Sequence, residues 1–326
     1  RTGGSPASTS RLRERSAHYA AGAREVSGGN GRCGLPELRV AESPPYHSNM
    51  APTLVPTSLP AWHRPFVERV CELFARDTRV LGIAAGGSWL TDTMDEYSDL
   101  DFVVVTENDG HASALADAMV FAESMGPLVG AFTGDHVGEP RLLICLYDGT
   151  PPLHVDFKFV AERDLGVRVE DPAVLWERDG RVTAALTRGI GAYPMPSLQW
   201  TEDRFWIWVH YITTKIGRGE LFEVLDALAF FRARVLGPLA LMRAGERPAG
   251  VRRIEVLAPA AAESLAATVA TRDATDGIRA LRAAIDFYVS LRGDDLAVVR
   301  RTDAERVARR YLDEIAASLP PAQGST

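Results

Sequence analysis

The sequence predicts an α+β region followed by a bundle of helices, and three observations carry that prediction. RVLGIAAGG (79–87) and DLDFVVVT (99–106) are short apolar or β-branched runs that read as buried strands. RLLICLYDG (141–149) and PLHVDFKFV (152–160) flank the turn-forming DGTPP and read as a hairpin. Beyond about residue 196 the apolar period changes to 3.6, in FWIWVHYITTKI, ELFEVLDALAFFRARVLGPLALM, GIRALRAAIDFYVSL and DAERVARRYLDEIAASL, the last preceded by a Thr302-x-x-Glu305 capping box.

Residues 1–58 are rich in Gly, Ser, Pro, Ala and Arg without a sustained period, so they bury too little apolar surface to offset the entropy of ordering. They are expected to form a disordered extension, with a natural start at Met50 and a leader upstream of it. The first folded domain is expected over 59–196, the helical one over 197–318, and a flexible tail over 319–326. Within the first, Phe66, Val67, Val70, Leu73 and Phe74 recur at helical spacing, so 62–75 reads as an amphipathic helix. SWLTDTM (88–94) reads as a turn or short helix, and HASALADAMVFAESMG (111–126) as a helix closed by Gly126. GDHVGEP (134–140), with Asp135 and Glu139, reads as a loop.

A chain of 326 residues has room for two ordinary domains with real cores. The net charge of −7 argues against broad adhesion to nucleic acid or anionic membrane. Cys33, Cys71 and Cys145 are odd in number and lack metal-ligand spacing, which fits a reducing, cytoplasmic setting. No apolar run approaches the ~20 residues needed to span a bilayer. Of the 36 basic side chains only Lys158 and Lys215 are lysines, so each invites a reason.

Two carboxylates open the strand at 99–106. Side chains at i and i+2 of a strand leave the same face, so Asp99 and Asp101 converge while Leu100 and Phe102 turn to the other side. Two such charges repel unless a cation lies between them, and a hard divalent ion such as Mg²⁺, which takes oxygen ligands and shares them with phosphates, is that cation. Ahead of them Gly86 and Gly87 let the backbone approach a ligand closely, and Ser88 offers a hydroxyl and an amide where anions bind.

Gly87-Ser88 followed about ten residues on by Asp99-Leu100-Asp101 at the head of a strand resembles the signature of the DNA polymerase β-like nucleotidyltransferase superfamily. Val155-Asp156-Phe157 matches the third, hydrophobic-acid-hydrophobic position of that pattern. The resemblance covers roughly 79–160; the helical half is similar in layout to the aminoglycoside and lincosamide nucleotidyltransferase branch. It implies a mixed sheet flanked by helices, two Mg²⁺ ions, and transfer of a nucleoside monophosphate, with ATP assumed as donor, to a small hydroxylated acceptor with release of pyrophosphate. It implies Asp99, Asp101 and Asp156 as metal ligands, Asp156 being either a ligand or the base for the acceptor hydroxyl, and Gly87, Ser88 and Lys215 as the phosphate-holding group.

Each feature also has a plainer explanation. Asp99 and Asp101 could be a solvated turn, but three elements in the right order favour catalysis; Asp95 and Glu96 are left as loop. Asp156 could be an edge acid paired with Lys158 on its own face. Lys215, on the same helical face as Trp208 and Tyr211, is a snorkelling surface lysine or a phosphate ligand, with Arg218 a weaker candidate. Phe205, Trp206, Trp208 and Tyr211 read mostly as core, and the histidines, His154 included, as structural or exposed. An acidic protein suits a cationic, hydroxylated acceptor such as an aminoglycoside. Three other functions stand beside this one: modification of a protein hydroxyl, a nucleotide-binding regulator without turnover, and a purely structural interaction module.

Overall fold

The computed structural model describes residues 55–293 and 297–320. The extension expected over 1–58 therefore lies outside the described residues up to 54, as does Met50. Contacts divide the chain into a unit ending at Ile190 and a unit beginning at Gly191.

The first unit runs α1 (Arg64–Ala75), β1 (Val80–Ala85), a 3₁₀ turn (Gly87–Thr91), β2 (Leu100–Thr106), α2 (His111–Ala116), α3 (Ala118–Met125), β3 (Leu128–Gly134), β4 (Glu139–Tyr147), β5 (Leu153–Ala161), β6 (Ala173–Glu177) and α4 (Arg181–Leu186). The strands form one mixed sheet in the order β3-β4-β5-β2-β1-β6. β2 and β5 pair in parallel at its centre, and the other neighbours are antiparallel.

The alternation along the central strands sorts the sheet into two faces. On one, Leu100, Phe102, Val104, Val155, Phe157 and Phe159 are buried beneath α1 and α3 in a single apolar cluster with Val70 and Phe74. The Phe102 and Phe157 rings stack 5.6 Å apart, and Phe74 meets Phe121 at 4.8 Å. On the other face Val105 and Val160 pack with Leu81 and Leu165 against Val182 and Ala185 of α4. Asp101 and Asp156 belong to this second face, four residues earlier on their strands than Val105 and Val160.

Several expectations need correction. The helix expected over 111–126 is two helices, because the chain turns at Asp117 (φ −87°, ψ 4°). β3, β6 and α4 were not anticipated: LVGAFTG is a sheet edge carrying two glycines, and only pairing with β4 makes it a strand. Glu139 is no loop residue but the first residue of β4.

The second unit consists of α5 (Leu198–Gly217), α6 (Leu221–Phe231), a π turn (Arg232–Leu236), α7 (Gly237–Arg243), α8 (Ile254–Leu257), α9 (Pro259–Ala266), α10 (Ala274–Arg292) and α11 (Thr302–Ser318). The π turn falls just ahead of Pro238, which has no N–H to give the helix ladder. None of the described helices is long and apolar enough to cross a membrane. Ser197 caps α5 by accepting the Trp200 amide, and Asp273 caps α10 by accepting that of Asp276. The Thr302-Glu305 capping box does not form. Arg301 occupies the N-cap position without a side-chain cap, and the Glu305 carboxylate is taken by Arg292 at 3.2 Å and Arg309 at 3.0 Å.

Glu202, a fully buried carboxylate on α5, holds this unit's helices in register. It accepts from the Tyr288 hydroxyl at 2.6 Å, the Arg301 amide at 2.9 Å, the Arg292 guanidinium at 3.1 Å and the Trp206 indole at 3.2 Å. Burial alone would raise its pKa, but these four donors together hold it below the ordinary carboxylate range. Its stabilising contribution is therefore complete above the unfolded pKa and is lost as the pH falls through the depressed folded value. Removing it leaves the Arg292 charge buried, so Glu202→Ala is expected to cost about 3–5 kcal/mol. Thermal unfolding followed by tryptophan fluorescence checks this: the midpoint of the helical unit should fall markedly at pH 7, and the gap to wild type should narrow as the medium is acidified.

Candidate active site

The site is built at the N-terminal ends of β2 and β5. Parallel pairing sets Asp101 opposite Asp156 in register, so the two carboxylates rise from neighbouring strands on one face of the sheet. Both are half-buried, as is Asp99, which precedes the first residue of β2. The stacked Phe102 and Phe157 on the opposite face lock that register, since a one-residue slip of either strand would turn its ring out of the core and break the stack.

β1 delivers the glycine bend to the same place. The Gly86 amide donates to the Asp101 carbonyl at 3.0 Å, which ties the bend to the start of β2. Gly87 has a φ of +61°, and a Cβ there would lie 2.2 Å from Asp101 Oδ2. Only glycine satisfies both the dihedral and the approach. Ser88 lies in the 3₁₀ turn that follows. At the end of that turn Asp92, also left-handed, accepts from the Thr57 hydroxyl at 2.7 Å and the Ser58 amide at 2.8 Å, so the residues just before α1 pin the turn in place.

Sequence reasoning passed over three neighbours of this group. Glu170, in the loop before β6, accepts from the Gly87 amide at 3.1 Å. It is 83 residues away in sequence, and only the β1–β6 pairing, with Ala85 opposite Ala173, brings it there. His154 places Nε2 3.2 Å from Asp156 Oδ1 and shares its face by i, i+2 spacing; that spacing is the one signal by which the sequence could have found it. His63 is fully buried, its ring tilted against that of Trp62 with centroids 3.8 Å apart. Burial lowers its pKa, with the Ser98 backbone and the Asp99 charge opposing.

Lys158 does not pair with Asp156. Its ammonium lies 2.9 Å from Glu139, which also accepts from Arg141 at 2.7 and 2.8 Å. The Arg141 guanidinium, and after it Lys158, hold the Glu139 carboxyl down at about 2 against the cost of burial. Lys215 belongs to the second unit. There it is bound to Glu220 at 2.5 Å and Glu223 at 2.8 Å, with its ammonium 5.1 Å from the Tyr211 ring centre. Of the aromatic group on α5, Phe205 and Trp206 are core, whereas Tyr211 is partly exposed.

Among the described residues no three His, Cys, Asp or Glu side chains are gathered closely enough to enclose a metal ion. The donor set nonetheless suits a hard divalent cation: two register-paired carboxylates with a third two residues away, all offering oxygen, beside a bend from which a Cβ is excluded. Thiol chemistry is not prepared at either described cysteine. Burial pushes Cys71 up to about 11 and Cys145 up to about 12, and neither forms a disulfide.

No curated protein matches the chain. Solved structures similar to it include an aminoglycoside 6-adenyltransferase from Bacillus subtilis, at 12% identity over 78% of this chain and 98% of that one with a TM-score of 0.35, and a nucleotidyltransferase-like protein from Exiguobacterium sibiricum 255-15, at 15% identity over 79% of each with a TM-score of 0.31. Residues 64–129 match the family model described as a nucleotidyltransferase domain. The match spans Gly87, Ser88, Asp99 and Asp101 and ends before β5. On the strength of that match the chain carries a nucleotidyltransferase domain and is an enzyme of nucleotidyl transfer.

Proposed function

We propose that this enzyme transfers a nucleoside monophosphate, AMP from ATP, to a hydroxyl of a small acceptor and releases pyrophosphate. The in-register placement of Asp101 beside Asp156, next to the Gly86–Gly87 bend, is the observation that carries the reading. In the reaction the acceptor oxygen bonds to the α-phosphorus, the bond from that phosphorus to the bridging oxygen of the β-phosphate breaks, and the hydroxyl proton leaves to a base.

Asp99, Asp101 and Asp156 would hold Mg²⁺, two ions in the superfamily pattern. Bound there, the metal would neutralise triphosphate charge and make the acceptor hydroxyl more acidic. Asp156 is either a third ligand or the base that takes the proton. The Gly87 and Ser88 amides and the Ser88 hydroxyl are assigned to the β- and γ-phosphates. Most of the rate gain would come from positioning and fixed electrostatics. A small, hydroxylated, amine-bearing acceptor of the aminoglycoside kind suits the surplus of carboxylates, with 43 acidic against 36 basic side chains. The unreactive, unpaired thiols of Cys71 and Cys145 support a cytoplasmic setting.

A pyrophosphate-release screen with the four nucleoside triphosphates, Mg²⁺ and a panel of hydroxylated amines tests the reading. Turnover is expected with ATP and at least one acceptor, and Asp99→Asn or Asp101→Asn should lower it by about 10³-fold or more while metal-free nucleotide binding persists. Turnover undiminished in both variants would remove the proposal. Gly87→Ala, which drives a Cβ into Asp101, should lose activity to a similar degree.

A further inference from the structure

The Gly87 amide, which the proposed reaction assigns to a phosphate of the donor, already holds an anion. Glu170 Oε1 sits 3.1 Å from the Gly87 nitrogen, and a Cβ on Gly86 would come within 2.9 Å of the same oxygen. The carboxylate is thus pressed onto the glycine bend in the position a phosphate oxygen would take. Two fixed anchors determine its placement. β6 begins three residues later and pairs with the end of β1, and Arg168, two residues earlier, bonds the carbonyls of Gly189 at 2.7 Å, Leu186 at 2.9 Å and Leu165 at 3.1 Å.

Beside Glu170 lies a cavity of about 130 Å³ that reaches from Gly86 along the sheet face over Val103 and Val160 to Lys158 and Arg141. Lys158 and Arg141 share the single carboxylate of Glu139, so this trio keeps one net positive charge at the cavity wall. Lys158 stands two residues after Asp156 on the same face of β5.

We propose that Glu170 is a resident anion at the phosphate position of the donor site: it caps the Gly87 amide until a triphosphate displaces it, and the entering pyrophosphate end is received by the cavity that Lys158 and Arg141 line. This deepens the nucleotidyltransferase reading and rests on it. Glu170 is a specificity-determining residue, because any ligand at the bend must offer more than the carboxylate it replaces. A polyphosphate does so with several charged oxygens, whereas a single carboxylate or chloride gains nothing.

The test uses the full chain and inorganic pyrophosphate as probe, without divalent metal, by titration calorimetry. Glu170→Gln and Glu170→Ala are each expected to bind pyrophosphate about tenfold more tightly than wild type, and Lys158→Ala about tenfold more weakly, with thermal midpoints unchanged. Equal or weaker binding in both Glu170 variants overturns the proposal, as does a loss of Mg²⁺-dependent turnover in Glu170→Gln with pyrophosphate affinity unaltered, which would make Glu170 an acid of the metal site. The two readings fail separately. If turnover depends on Asp101 while pyrophosphate binding ignores Glu170 and Lys158, only the displaced-anion inference falls. If pyrophosphate binding follows Glu170 and Lys158 while no triphosphate is turned over, only the transfer reaction falls.

Discussion

The parallel pairing of β2 with β5 is the constraint on which the site depends. It is the one parallel contact in a sheet whose other neighbours run antiparallel, and it cannot be closed by a short hairpin. The intervening α2, α3, β3 and β4 therefore act as a long crossover whose result is to set residue 101 opposite residue 156. Energy for that register comes from the far side of the sheet, where Phe102, Phe157 and Phe159 interlock with Phe74 of α1. Large apolar side chains on one face thus hold two carboxylates side by side on the other, against their mutual repulsion.

The remaining parts of the site are tied to this pair through the backbone. β1 runs antiparallel to β2 and ends at the bend, whose Gly86 amide bonds the Asp101 carbonyl, so the glycine bend is tied directly to the head of β2. β6, on the outer side of β1, brings in Glu170. Gly82 shows how closely that layer is drawn: a Cβ there would meet the Trp176 carbonyl at 2.7 Å and Val182 at 2.6 Å. The same sheet therefore supplies the acids, the bend and a carboxylate that rests against the bend.

Charge is managed differently in the two units. In the helical unit Glu202 is neutralised by fixed partners on α5 and α10 and by a backbone amide at the head of α11, an arrangement that specifies helix register. Lys215, near the end of the same helix, is shared between two glutamates at 13% exposure and keeps a compact ammonium close to the surface. In the sheet unit Asp101 and Asp156 are set opposite one another and half-buried, with Asp99 half-buried just ahead of β2.

The sequence by itself determined the class of fold, the strands at 80–85, 100–106 and 153–161, the amphipathic first helix and the helical second half, because in each the apolar period matches the secondary structure that buries it. It also singled out Gly87, Ser88, Asp99 and Asp101, since a glycine bend and i, i+2 acids are local patterns, and Asp156 through the hydrophobic-acid-hydrophobic position of the pattern it resembles. Only the tertiary structure decided what depends on pairing between distant segments. β3 and β6 have too little intrinsic strand character to be read without their partners, the break at Asp117 follows from packing of α2 and α3, and Glu305 leaves its cap for Arg292. Glu170 reaches Gly87 and Lys158 turns to Glu139 for the same physical reason: contacts across a sheet are set by strand order and register, which no window of neighbouring residues contains.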